Sequence, residues 1–308
     1  MAGQLAYPRL CGQLFDTPLL YEPRKAEVAL RAIGPQLTGQ SVVVLNGTGG
    51  VDHTAFANGR PSAGVIGDGL GREMDQRRIA PFDMVDGVAV IPIEGTLVQK
   101  GGWIGAESGE TSYQGLQTQI ARAHRPDVKG VVFEVDSFGG MVSGAFETAA
   151  MIAELSKAKP TIGIQTDYAF SAAYLLISQC RQIVAPKFGG SGNIGALLLH
   201  ADYSGALGKE GIKVTIIKAG AHKADGNPYE ALPAAQRARW QSQLDAVRDQ
   251  FAAAVGKGRG SRMSKAKALK TEAQAYTAAE AHAIGLIDAV GDPQEAFAAF
   301  VKAVNGRN

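Results

Sequence analysis

Ser171 and Lys223 are the residues whose settings combine a nucleophile with a base. Ser171 follows an apolar, β-prone run, Thr161-Ile162-Gly163-Ile164, and precedes Ala172, Leu175 and Leu176 at helical spacing. A serine at such a junction stands at a helix N-terminus, where free N–H groups stabilise a developing oxyanion. Lys223 lies in the turn-rich stretch His222-Lys223-Ala224-Asp225-Gly226-Asn227-Pro228, after the strand-like Val214-Thr215-Ile216-Ile217. A serine hydroxyl is a poor nucleophile until a neighbour takes its proton. A lysine takes it only as the neutral amine, so its pKa must fall from about 10.4 towards neutrality, and burial among apolar groups supplies that shift.

Each signal also has a plainer reading. Serine at a helix start is more often an N-cap, and most lysines are solvated surface charges. His200 and His222 compete as bases, with Asp202 or Asp225 completing a triad, although no G-x-S-x-G elbow occurs. A third feature, Asp136-Ser137-Phe138-Gly139-Gly140-Met141, falls where the strand Val131–Val135 gives way to a helix. Its glycines either turn N–H groups towards an anion or simply make a tight turn. Neither a G-x-G-x-x-G nor a P-loop pattern is present, which disfavours nucleotide binding. His53, His124, His200, His222 and His282 show no metal-ligand spacing, so neither a metal nor another cofactor is expected.

The elements that must position these residues alternate. Strands are expected at 88–93, 131–135, 161–164, 182–185, 194–199 and 213–217, with helices between them, a pattern that predicts a parallel α/β sheet covered by helices. A long helix follows, with Trp240, Leu244, Val247, Phe251 and Val255 on one stripe expected to be buried. Ahead of this domain, assigned to residues 81–308, residues 1–46 read as an N-terminal arm carrying an amphipathic helix, Lys25–Ile33. Residues 47–80 read as a glycine-rich flexible linker, within which Arg72-Glu73-Met74-Asp75-Gln76-Arg77-Arg78 reads as a short solvated helix. The arm is expected to dock on a partner or neighbouring subunit and to be dispensable for folding.

The 308 residues suffice for a full core, and the 45% hydrophobic and 19% charged fractions are those of a soluble globular chain. A net charge of +2 offers no footprint for nucleic acid or an anionic membrane. Two distant cysteines, Cys11 and Cys180, fit a reducing compartment. Neither a signal peptide nor a transmembrane run is evident, so an intracellular protein is expected.

The order of these pieces, a Gly-Gly turn after one strand, Ser171 after the next and Lys223 after a later one, resembles the signal peptide peptidase A family of Ser-Lys peptidases, over about residues 85–290. Within it the chain is most similar to the capsid assembly proteases of lambda-like tailed phages. Three stretches carry that likeness: Phe15-Asp16-Thr17-Pro18-Leu19-Leu20-Tyr21-Glu22-Pro23, Gly139-Gly140-Met141-Val142-Ser143-Gly144-Ala145-Phe146, and His222 to Tyr229. The resemblance implies a Clp-protease-like (crotonase-like) fold, Ser171 as nucleophile, Lys223 as general base, and an oxyanion hole from Gly140 with Gly139 and Ala172. Phe138 stands where the family commonly has proline, and Ala173 where glycine is frequent. It further implies a homo-oligomer that cleaves scaffold and capsid proteins in the procapsid within the host cytoplasm. The alternatives are a cytoplasmic bacterial peptidase of the same family, a crotonase-like acyl-CoA enzyme and a structural capsid or scaffold component.

Overall fold

The computed structural model describes residues 18–21, 68–101, 105–107 and 109–306. The expected amphipathic helix of the arm and most of the glycine-rich stretch lie outside these residues. The sheet is built on three long parallel strands: β3 (Val88–Val98), β6 (Gly130–Met141) and β7 (Thr161–Phe170). Crossover helices α2 (Tyr113–Arg122) and α3 (Ala145–Ala158) join them, as parallel pairing requires. Beyond β7 the sheet forks. Its first half pairs with β8 (Gln182–Ala185) and its last residues pair with β9 (Gly190–Gly192), both parallel. Antiparallel partners close the margins, among them β2 (Asp83–Val85) on β3 and β10 (Ala275–Thr277) on β9. Eleven strands belong to this sheet among the described residues. The architecture is therefore α/β with a mostly parallel, helix-covered sheet, as the alternation predicts.

Period-two alternation gives each long strand two apolar faces. Ala89, Ile91, Ile93, Val131, Phe133 and Val135 face the main core with Leu116, Ile120, Ala149 and Ile152 of α2 and α3. Val88, Val132, Ile162 and Ile164 face the other way, where Phe300 and Val304 of the C-terminal helix (Pro293–Asn305) cover them.

Three expectations are corrected. Within the assigned linker, the short helix expected over 72–78 forms, as α1 (Gly69–Arg77), but it is not solvated on every face. It buries Leu70 and Met74 and is tied to α2 by Arg122, which bonds Asp68 at 2.8 Å and Asp75 at 2.6 Å. Residues 194–199 are not a continuous strand, and 213–217 have no strand partner. Ile212, Val214 and Ile217 are exposed, Ile217 at 95%. The long helix, α6 (Ala234–Arg259), buries its stripe only at Phe251 and Val255, whereas Trp240, Leu244 and Val247 are half-buried. In the last two cases the apolar pattern is present, but the described residues do not supply the surface that would cover it.

The C-terminal end of α6 also hides a charge. Arg259 is fully buried, and its guanidinium reaches both Asp288 carboxylate oxygens, at 2.8 and 3.0 Å, and the Gly285 carbonyl. Arg262 adds a bond to Asp288 at 2.8 Å. Burial pushes the Asp288 carboxyl up, but the arginines outweigh it and hold its pKa below the usual carboxylate range. A carboxylate whose folded pKa is depressed contributes stability above its unfolded pKa, about 3.9, and loses it as the pH falls through the folded value. Asp288→Ala leaves Arg259 buried without a counter-charge. It is expected to destabilise the fold by about 3 kcal/mol or more in urea unfolding at neutral pH, with a smaller deficit in acid.

Candidate active site

Ser171 occupies the N-cap position of α4 (Ala172–Ile177), directly after β7, but it does not act as a cap. Its backbone is at φ 54°, ψ −120°, far from the extended geometry of a capping residue, and its side chain makes no cap bond. A non-glycine residue in this region is strained, and such conformations persist only where the surroundings over-determine them. Here Ser171 N–H donates to the Gly192 carbonyl at 2.8 Å, and its carbonyl accepts from Leu175 N–H at 2.9 Å. Tyr174 anchors the helix by donating its hydroxyl to the Leu286 carbonyl at 2.8 Å. The hydroxyl so presented is buried, and Ser171 Oγ has no hydrogen-bond partner. A buried hydroxyl held without a partner costs free energy that an ordinary cap would recover.

The glycine turn lies against this serine. Gly139 is at φ +95°, and a Cβ built on it would meet the Leu20 carbonyl oxygen, Ser171 Cβ at 2.9 Å and the Ala172 nitrogen at 3.0 Å. Only glycine fits both the dihedral and the space. Gly139 N–H donates to Ser137 Oγ at 3.2 Å, and Ser137 donates in turn to the Gly95 carbonyl at 2.6 Å. Of the amides expected to face an oxyanion, Gly139's is thus engaged, whereas Ala172 at the first turn of α4 has no acceptor within the helix. Behind the turn, the buried Tyr113 donates its hydroxyl to the Met141 carbonyl at 2.8 Å. Phe138 packs with Tyr168 and Phe170, ring centroids 5.1 and 5.8 Å away, an aromatic cluster that includes the residue preceding Ser171 and the one preceding Gly139. Phe138 was singled out in the sequence, whereas the bracing role of Ser137 and the Tyr168 and Phe170 rings are what sequence reasoning missed. A serine two residues before a glycine was the available signal for the first.

Lys223 is not brought to Ser171. It is exposed, in the loop between α5 (Ser204–Lys209) and α6, and Ser171 Oγ accepts no bond from it. The neighbouring His222 is also exposed and bonds Asp225 through Nδ1 at 2.7 Å. This reproduces the histidine–carboxylate half of a triad, again without contact to the serine. Asp202 accepts from Ser204 instead, and His200 packs at 5.4 Å from the Trp240 ring. No cluster of metal-ligating side chains occurs among the described residues. Nor is any described helix long and apolar enough to cross a membrane.

Comparison with known proteins adds the following. The model of peptidase family S49 matches residues 153–306, which include both Ser171 and Lys223. The chain is 33% identical over 302 residues to capsid assembly protease C of Escherichia phage lambda, covering 97% of this chain and 66% of that protein. It is 34% identical over 300 residues to head-tail preconnector protein GP5 of Enterobacteria phage P21, covering 94% of this chain and 56% of that one. The chain thus spans less than two thirds of the length of either relative. Among solved structures, a membrane-bound stomatin-specific protease aligns at a TM-score of 0.44 and 16% identity, covering 68% of this chain and 83% of the other.

The partnerless hydroxyl generates a test that needs no substrate. Ser171→Ala removes an unsatisfied buried oxygen at little cost in packing. It is expected to raise the unfolding free energy by about 1 kcal/mol in chemical denaturation, a sign opposite to that for most buried substitutions.

Proposed function

The chain belongs to peptidase family S49, and from that premise we propose that it is a serine endopeptidase with Ser171 as nucleophile and Lys223 as general base. Its proposed substrates are the scaffold and capsid proteins of a phage head. The observation that carries this reading is Ser171 Oγ, buried and partnerless, on a strained residue beside a glycine turn. A crotonase-like acyl-CoA reading would use the glycine turn but leaves that serine unexplained.

In the proposed reaction Ser171 Oγ attacks the scissile carbonyl carbon as its proton passes to the neutral Lys223 amine. The carbonyl oxygen becomes an oxyanion and accepts the Ala172 and Gly140 N–H groups. Collapse breaks the peptide C–N bond, and Lys223 returns the proton to the leaving amine. Water, deprotonated by Lys223, then releases the acyl group from Ser171. The glycine turn and Phe138 shape the wall against which the substrate chain lies.

This chemistry requires Lys223 to be buried beside Ser171, and within one chain it is exposed. The exposed apolar surface of Ile212, Val214 and Ile217, together with the half-buried Trp240 and Leu244, belongs to the same excursion of the chain. A second copy packed over this surface would cover it, desolvate the loop and complete the dyad between subunits. A homo-oligomer is therefore part of the proposal.

Ser171→Ala and Lys223→Ala are each expected to lower kcat/KM on an unfolded scaffold protein by about 10⁴-fold or more, with the fold intact by circular dichroism, whereas His222→Ala retains most activity. Loss in His222→Ala with activity kept in Lys223→Ala would select the triad instead. Mixing the two inactive dyad variants is expected to restore part of the activity, because the sites of a mixed oligomer draw an intact serine and an intact lysine from different copies. Failure to restore any would put both residues in one subunit.

A further inference from the structure

Ser171 has no solvent-exposed surface, yet a nucleophile must reach a carbonyl carbon. The segment lying against it is β1 (Leu19–Tyr21), a three-residue strand far from the rest of the sheet in sequence. β1 runs antiparallel to the end of β6, pairing Leu19 with Met141, Leu20 with Gly140 and Tyr21 with Gly139. On its other side Leu19 N–H donates to the Leu197 carbonyl at 2.8 Å, and Leu197 N–H donates to the Leu19 carbonyl at 3.0 Å. The slot it fills opens where β6 and β7 separate after Ser137 opposite Ala169. Without β1, the edge of β6 at Gly139–Met141 and the backbone N–H and carbonyl of Leu197 would be left without these partners beside the nucleophile, groups to which an extended chain can bond through its backbone.

Resting on the peptidase reading of Ser171, we propose that this slot is the groove for an extended polypeptide substrate with leucine-sized side chains, and that Leu19–Tyr21 of the chain is its resting occupant, displaced when a substrate strand enters. Leu19 and Leu20 are buried, which gives the groove its aliphatic fit. The Leu20 carbonyl oxygen, Ser171 Cβ and the Ala172 nitrogen converge on the bare face of Gly139, where a scissile carbonyl has to lie. An occupant on the same chain competes at high effective concentration, so substrate affinity is reduced by the fraction of time the groove stands open. An aliphatic strand in an unfolded scaffold protein would supply the same contacts in trans.

The test uses the full chain, a serine-reactive phosphonate, and a synthetic peptide with the sequence of residues 17–24. Leu20→Asp places a charge in the slot and is expected to speed labelling of Ser171 by about tenfold or more relative to the wild type. The peptide is expected to slow labelling of that variant back towards the wild-type rate. Should Leu20→Asp fail to fold, Leu20→Ala carries the test with an expected acceleration of about threefold. Unchanged or slower labelling in a cooperatively folded variant would overturn the proposal and make β1 a fixed wall of the site. If no form of the protein is labelled, the peptidase reading has failed rather than the groove. Fluorescence anisotropy of the labelled peptide with Leu20→Asp in a Ser171→Ala background then decides: saturable binding supports the groove and its absence rejects it.

Discussion

Strands β6 and β7 run in register from Val131 opposite Thr161 to Val135 opposite Gln165, then shift and part near Ser137 opposite Ala169. The candidate site follows from that separation. Closely paired strands leave no room for a ligand between them. Because β6 turns through Gly139 and Gly140 towards β3 while β7 continues to β9 and ends at Phe170, one residue before Ser171, the two chain ends diverge around a space lined by backbone. Ligands in open α/β sheets bind beyond the carboxyl ends of the strands, and here the parting of neighbours creates the crevice.

Holding that crevice open requires strain and unmet hydrogen-bonding capacity, and the surroundings supply the constraint. The left-handed conformation of Ser171 is trapped between a bond to Gly192 and the first turn of α4, and the glycine turn is braced by Ser137 and Tyr113. These braces come from segments with their own core contacts: Tyr113 is fully buried, and α4 is buried along its whole length. The dense core next to the site offsets the cost of the serine's geometry, and rigid packing keeps that geometry from relaxing.

The second half of the chain obeys a different logic. Residues from about 200 to 245 carry apolar periodicity and β-prone runs yet lie largely exposed, and the lysine loop belongs to this excursion. An apolar stripe is a demand for a partner surface, and among the described residues Phe251, Ala252 and Val255 are the apolar positions of α6 that are buried. The chain thus divides into a self-sufficient core that holds Ser171 and an excursion, exposed along most of its length, that holds Lys223.

Local pattern alone established the α/β alternation, the strands at 88–93, 131–135 and 161–164, the placement of Ser171 at a strand-to-helix junction, and the glycine turn at the end of β6. These follow from side-chain periodicity and from the backbone freedom of glycine, properties that a run of neighbouring residues carries by itself. Tertiary structure decided what periodicity does not encode, namely which surface covers each apolar face. Three residues at Leu19–Tyr21 are too few for a period and become a strand because the end of β6 and the backbone of Leu197 bond to them. The stretch 213–217 has the composition of a strand but no neighbour to bond, so it is not one. Arg259, the last residue of α6 and one of several charged residues near its end, is buried because Asp288, 29 positions away, folds back to meet it. The serine was legible because its context is local. Its strained dihedral, its missing partner and the exposure of Lys223 were not, since each is set by segments remote in sequence.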